Sequence, residues 1–396
     1  MKHKITICAL LVIFFVACGG DITLKWDCQD VNMKQPKGLV LNVYVENSGS
    51  MNGYACDGSE FKDAVYDYVS KLSSCVQQTH LNFINSKVVP SREGLHDFIW
   101  GLTPNTIGKG DGSHANSQIS NMLKTILAQT DKKAVSVFIS DCILDVPQGA
   151  ANSFFHLAQT DIGNAVRSRL VSDHDFAIEI IQLESKFSGN YFGADGVTKL
   201  SGQKRPYYIW VMGDKQNIAW LNSQISLTSI PHGYLHCVAF SAPSQVGFDL
   251  FNQFLKTDTK QNSKDRKLVI KTKVNDGYKV LVKCNLYPAL IDPQTLKDGS
   301  AIKTNDAMVT IVKAVTIDDN HWPHQIELSI GPNFKKGQML TITNDVPAWV
   351  GQSNDDSGKD VLRNLDKTSG IKYIIQGVAD AYSSYKQKGT IKFNIQ

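Results

Sequence analysis

The chain has 396 residues, 42% hydrophobic and 20% charged, the balance of an ordinary globular protein with room for two domains. Its formal net charge of +4 is small for this length, and no cluster of Lys and Arg is interleaved with aromatics, which argues against a nucleic-acid partner. Past the N-terminal segment no run approaches the ~20 apolar residues that a membrane helix needs, so the body is expected to be soluble.

The chain opens with Met1-Lys2-His3-Lys4 and an apolar run from Ile5 to Ala17, followed by Cys18-Gly19-Gly20. A basic start, an apolar core too short to span a bilayer comfortably and a small residue before the break predict a secretory signal over residues 1–17. Phe15-Val16-Ala17-Cys18 resembles a lipobox, with Phe where Leu is usual. The resemblance implies a bacterial lipoprotein whose Cys18 carries the lipid. Residues 18–37 then form a tether, and the body is lipid-anchored to a membrane of the cell envelope, on its periplasmic or surface face. Cys8 leaves with the signal. Cys28, Cys56, Cys75, Cys142, Cys237 and Cys284 remain, an even number in an oxidising compartment, which leaves disulfides open. Cys142 and Cys237 lie in apolar stretches and read equally well as buried thiols.

The run Leu39-Val40-Leu41-Asn42-Val43-Tyr44-Val45 predicts a buried strand. Asp57-Gly58-Ser59-Glu60 resembles a capping box, and behind it Phe61, Ala64, Val65, Tyr68, Val69 and Leu72 fall at helical spacing. His80 to Ile84 is expected as a strand and Thr103 to Asn116 as a polar, Gly-rich loop. Ile119, Met122, Leu123, Ile126 and Leu127 predict an amphipathic helix. Ala134 to Ile139 predicts a strand ending at Ser140-Asp141. A helix is expected over Asn152 to Val171, strands over Phe176 to Leu183, Tyr207 to Met212 and Tyr234 to Phe240, and a helix over Asp214 to Ile225. Strands that alternate with helices and are apolar throughout suggest parallel pairing with helical crossovers. Residues 38–250 are thus expected to form an α/β domain with a doubly wound, mostly parallel sheet. Later strands are short and several alternate, as in Ile326, Leu328 and Ile330, so residues 265–396 are expected to form a second, β-rich, sandwich-like domain with one helix.

Ligands of open α/β sheets bind beyond the carboxyl ends of the strands. Val45-Glu46-Asn47-Ser48-Gly49-Ser50-Met51, the loop before the helix led by Ser117, and Ser140-Asp141 are all expected there. Their residues resemble those of the von Willebrand factor type A (integrin I-like) family. That family carries Asp-x-Ser-Gly-Ser-Met after its first strand, and this chain has Glu46-Asn47-Ser48-Gly49-Ser50-Met51. Ser117 stands where the family has Thr, and Phe138-Ile139-Ser140-Asp141-Cys142 where its strand ends in Thr-Asp-Gly. The resemblance implies a divalent-metal site (a MIDAS, metal-ion-dependent adhesion site) made of Glu46, Ser48, Ser50, Ser117 and Asp141. The expected ion is Mg²⁺, with Mn²⁺ or Ca²⁺ as alternatives. The chemistry agrees, because Mg²⁺ takes six hard oxygens near ~2.1 Å and keeps several waters. Uncharged hydroxyls with two acids behind them would leave the ion electrophilic, open to a carboxylate of a protein partner. Glu46 adds about 1.5 Å of reach over the usual Asp.

The other candidates have ordinary readings. His232 with His236, and His321 with His324, sit beside Pro or Gly without a third ligand and read as structural or surface histidines. Asp355-Asp356-Ser357-Gly358 lacks the spaced acids of a calcium loop and reads as a solvated turn. Gly108 to Ser113 lacks the Gly-Lys-Ser/Thr ending of a phosphate loop and reads as a flexible rim near Ser117. No catalytic constellation is evident. The expected function is binding, either adhesion or complex assembly through the ion. The alternatives are a metal-dependent hydrolase such as a phosphoesterase, or a scaffold whose metal site has decayed.

Overall fold

The computed structural model describes residues 21–27, 31, 33–113, 118–144, 151–251, 259–262, 266–271, 277–297 and 299–396. Cys18 and Ser117 lie outside the described residues. The segment expected as a tether contains a strand, β1 (Ile22–Trp26), whose Ile22, Leu24 and Trp26 are buried. It pairs on both sides with strands from the last third of the chain.

The next stretch runs β2 (Val40–Glu46), α1 (Phe61–Cys75), β3 (Gln78–Ile84), β4 (Val88–Pro90), α2 (Leu95–Trp100), α3 (Ile119–Gln129) and β5 (Ala134–Ser140). It continues with α4 (Ala151–Ser172), β6 (Phe176–Gly193), β7 (Gly196–Asp214), α5 (Lys215–Gln224) and β8 (Tyr234–Phe240). The strands form one sheet in the order β4-β3-β2-β5-β7-β6-β8. Leu41, Val43, Val45, Val137 and Ile139 point to the side covered by α1, α2 and α5. Tyr44, Phe138, Ile180, Tyr208 and Trp210 point to the side covered by α3 and α4.

The expected doubly wound, mostly parallel sheet is not what forms. Within this sheet only β2 with β3 and β2 with β5 run parallel among the described strands; β3–β4, β5–β7, β6–β7 and β6–β8 are antiparallel. The von Willebrand A architecture falls with it, since the chain as a whole is rich in strand and its sheets are mostly antiparallel. The reason is physical. A strand that is apolar throughout reports cover on both faces, and that cover is present here, but it does not report direction. Direction is set by the connection, and β6 joins β7 through the tight turn at Ala194-Asp195, which only an antiparallel pair allows.

The remaining strands are β9 (Ser244–Gln245), β10 (Gly247–Phe251), β11 (Thr259–Asn262), β12 (Lys267–Ile270) and β13 (Tyr278–Asn285). Then come α6 (Pro293–Lys297), β14 (Ile302–Thr304), β15 (Val309–Thr316), β16 (His324–Ile330) and β17 (Gly337–Thr343). The chain closes with α7 (Ala348–Gln352), β18 (Asn354–Asp355), β19 (Thr368–Ser369), α8 (Ile371–Ala381) and β20 (Gln387–Ile395). One sheet has the order β11-β12-β1-β20-β17-β14, with β9 on β20, and a second has β10-β13-β16-β15. They share a core that includes Leu24, Leu250, Leu268, Val282, Leu328, Leu340 and Phe393.

Between β17 and β20 the chain leaves this sandwich and returns to the first sheet. Helix α8 packs on α4 and buries Ile371, Ile374, Ile375 and Val378 there. Each such side chain contributes roughly 1.5–3 kcal/mol, so the segment is an integral layer. The helices meet closely at Gly377, where a Cβ would lie 2.5 Å from the Gln159 carbonyl oxygen. Tyr382 clamps the end of the helix by donating to the Phe176 carbonyl at 2.9 Å.

Candidate functional site

β2 and β5 lie side by side with Val45 opposite Ile139, so the two parallel strands deliver Glu46 and Ser140-Asp141 to one rim at one level. Alternation along each strand places Glu46 and Ser140 on the same face. The Ser140 hydroxyl donates a short hydrogen bond to Glu46 Oε2 and accepts from the Cys142 amide at 2.8 Å. Asp141 faces the other way, and its Oδ1 accepts from the Ile143 amide at 3.1 Å. The turn after β2 runs straight into a 3-10 segment, Gly49–Ala55, which brings the hydroxyls of Ser48 and Ser50 to 2.9 Å from each other. The Ser50 hydroxyl also lies near enough to Asp141 to favour its ionised form. Of the five residues expected as ligands, Ser48 and Ser50 hydrogen-bond to each other, Glu46 is bonded to Ser140 on one face of the rim, Asp141 turns to the other, and Ser117 is not among the described residues.

The set is dry. Glu46 and Asp141 are 0% exposed, Ser48 2% and Ser50 9%. Burial, and then the charge of Glu46, push the Asp141 carboxyl up to about 7. Asp141 Oδ2 has no hydrogen-bond partner. Cys142, directly after it, holds φ at 53°, a left-handed conformation that costs a side-chain-bearing residue about 1–2 kcal/mol. That kink turns the chain sharply away at the rim. The Cys142 thiol, whose ionisation burial opposes, accepts from the Trp210 indole at 3.3 Å.

Two structures surround the set. On one side the loop Thr103–Ser113 lies over the serine turn. Asn47 holds it, donating to the Lys109 carbonyl at 2.9 Å and accepting a short hydrogen bond from the Gly108 amide. Asn85 secures its far end through the Asp111 carbonyl at 2.9 Å. On the other side the 3-10 segment packs on the β6–β7 hairpin. Tyr54 sits against the rings of Phe61, Phe187 and Tyr207 and donates to the Pro206 carbonyl at 2.5 Å. Contact is closest at Gly53, where a Cβ would lie 2.4 Å from the Phe187 ring.

Sequence reasoning missed Arg205. It lies on β7, which pairs with β5 as Ser140 opposite Tyr208, so Arg205 lies past the end of β5, on the face to which Asp141 turns. The guanidinium is buried at 1% exposure and stacks over Tyr191 at 4.7 Å. Nη1 donates to the carbonyls of Asn364 and Leu365, both at 2.9 Å, while Nε and Nη2 have no partner. Its charge acts on Asp141, Tyr54 and Tyr191 alike, favouring the ionised form of each. A signal existed in the sequence, an arginine directly before the apolar run Pro206 to Met212.

The residues set aside fall elsewhere. His236 stacks on Trp349 at 5.1 Å, and His324 is buried with its Nδ1 accepting from the Leu286 amide at 3.1 Å. Asp355, expected in a solvated turn, is buried, and its Oδ1 accepts from the amide and hydroxyl of Ser357, each at 2.8 Å. Cys56, Cys75, Cys142, Cys237 and Cys284 are free thiols. Among the described residues no three His, Cys, Asp or Glu side chains gather as a metal group; the rim offers two carboxylates and two hydroxyls instead. No described helix is long and apolar enough to cross a membrane.

No protein-family model matches the chain, and no curated protein matches it either. The likeness to the von Willebrand A family, drawn from the serine turn, Ser117 and the strand end at Ser140-Asp141, is withdrawn, because neither the sheet nor any family match supports it.

Proposed function

We propose that the rim binds a divalent cation between Glu46, Ser48, Ser50 and Asp141, and that the protein is a cation-dependent binding component of the bacterial envelope. One observation carries the reading: Asp141 Oδ2 is wholly buried and without a partner, beside a second buried carboxylate. Two carboxylates in a dry site repel each other, and each loses hydration that a proton, a positive charge or several donors must replace. A hard cation supplies that charge. Two carboxylates and two hydroxyls are four oxygens of the class that Mg²⁺, Mn²⁺ and Ca²⁺ take. The set is incomplete for six-coordination, so water or a carboxylate of a partner protein would fill the remaining positions. The Thr103–Ser113 loop, whose Gly108, Gly110 and Gly112 all have positive φ, lies over the serine turn and would govern access to those positions. Attachment through lipid on Cys18 rests on the lipobox-like residues 15–18.

Calorimetric titration of the purified chain with Mg²⁺ and Mn²⁺ tests the cation. One ion should bind per chain, and both Asp141→Asn and the double variant Ser48→Ala/Ser50→Ala should weaken it at least tenfold. Equal affinity in all three proteins, or no binding to any, would remove the reading.

A further inference from the structure

We infer that Arg205 is an oxyanion anchor in the same site, gripping a carboxylate or phosphate group of the ligand whose other oxygen meets the proposed cation. The inference rests on that cation reading for the ligand's second contact and on Arg205 alone for the first.

A guanidinium has two edges that take an oxyanion in bidentate fashion. In Arg205 Nη1 is already committed to the carbonyls of Asn364 and Leu365, which, with the stack on Tyr191, fix the plane of the group. What remains without a partner is Nε with Nη2, the side edge whose two N–H bonds run parallel and match the two oxygens of a carboxylate or phosphate. The group that would ordinarily satisfy a buried arginine is close by. Asp141 leaves its strand on the same face of the sheet, and its Oδ2 is also unpartnered, so the two opposite charges do not close on each other. A cation on Asp141 and an oxyanion on Arg205 complete both at once, and the oxyanion bridges them. Surface lysines would hold a phosphate loosely. A buried, planar, pre-oriented arginine selects a group with two parallel acceptors, and its dry surroundings strengthen the contact.

The test follows the Nε–H resonance of Arg205 in full chain labelled at arginine, with acetate and inorganic phosphate as probes, with and without Mg²⁺. The expected result is a saturable displacement of that resonance by at least one of the two anions in Mg²⁺. Acetate as the stronger probe points to a carboxylate ligand, phosphate to a phosphorylated one. Arg205→Lys keeps the charge and loses the bidentate edge; it should bind the anion at least tenfold more weakly while holding Mg²⁺ within about threefold of the parent. An anion that binds without Mg²⁺, and is lost in Arg205→Lys, keeps the anchor and removes the cation. A resonance unmoved by both anions, or equal anion affinity in Arg205→Lys, overturns the anchor. If Arg205→Lys does not fold, the resonance of the parent chain decides alone. A closed ion pair with Asp141 would show itself as a resonance that moves in Asp141→Asn and not with anions, and that too overturns the proposal.

Discussion

Asp141, directly after β5, and Arg205, midway along the neighbouring antiparallel strand β7, stand on the same face of the sheet, both buried, and neither completes the other's hydrogen bonding. Opposite charges in a dry interior normally close, because the attraction is strong there and each open polar atom is costly. Here each is held back by bonds of its own. Asp141 Oδ1 is tied to the Ile143 amide, and Arg205 Nη1 to two backbone carbonyls. The two are thus oriented by the backbone of the rim and of the segment before β19.

Asp141 is expected to oppose folding in the absence of a cation and support it in the presence of one. Asp141→Asn removes a buried charge next to Glu46, so the metal-free variant should unfold at an equal or higher denaturant midpoint than the parent. At a cation concentration one hundred times Kd the parent should gain about 2.7 kcal/mol and the variant almost nothing. Paired urea melts with and without Mg²⁺ measure both arms. A variant that is much less stable without metal would show that Asp141 is a structural acid.

Gly53 should tolerate no side chain. Its missing Cβ is the space occupied by the Phe187 ring, and Gly189 of β6 presses on the same point, with its own Cβ position 2.9 Å from Gly53 Cα. Gly53→Ala should cost about 1–3 kcal/mol by overpacking. Because Gly53 lies three residues after Ser50, the variant should also weaken cation affinity. Chemical denaturation and a cation titration on the same preparation check the two effects. Unchanged stability would mean that the 3-10 segment is not packed on the hairpin as described.

His324 sets an acid limit on the sandwich. Burial holds its imidazole down to about 4 from an ordinary 6.5. Above pH 6.5 the ring is neutral in the folded and unfolded chain and contributes no pH dependence. As the pH falls from 6.5 towards 4 the unfolded chain takes up a proton that the folded chain refuses, so stability falls by up to about 1.4 kcal/mol per pH unit. Replacement by Leu leaves the Leu286 amide without its acceptor, at a cost of about 1–3 kcal/mol, but should flatten the slope in that window. Denaturant midpoints from pH 7 to pH 4.5 test this, and an identical slope in both proteins would count against it.

What could be read from the residues was where strands lie and which faces they bury. Val40–Glu46, Ala134–Ser140 and Tyr234–Phe240 are apolar enough to announce themselves. Strand direction was not readable, because burial on both faces says nothing of how neighbours are connected. The far halves of β6 and β7, from Ser185 to Arg205, mix exposed polar residues with buried Phe187, Tyr191 and Leu200. That half-buried pattern looks like loop in a sequence and is a long hairpin in the structure. Helix α8 shows its apolar face plainly, but not that the face belongs to the first sheet. At the rim, the serine turn and the two acids were recognisable as oxygen donors. Arg205 was not, since its meaning comes from partners more than 150 residues away at Asn364 and Leu365.

The central claim is that a hard cation sits between the serine turn and the two buried carboxylates. Anomalous scattering from crystals grown in Mn²⁺ tests it most directly. The account predicts one strong peak within about 2.5 Å of oxygens from Ser48, Ser50 and at least one of Glu46 and Asp141. A well-ordered rim with no peak there, or with the Asp141 and Arg205 side chains closed on each other and no ion between the acids, would contradict it.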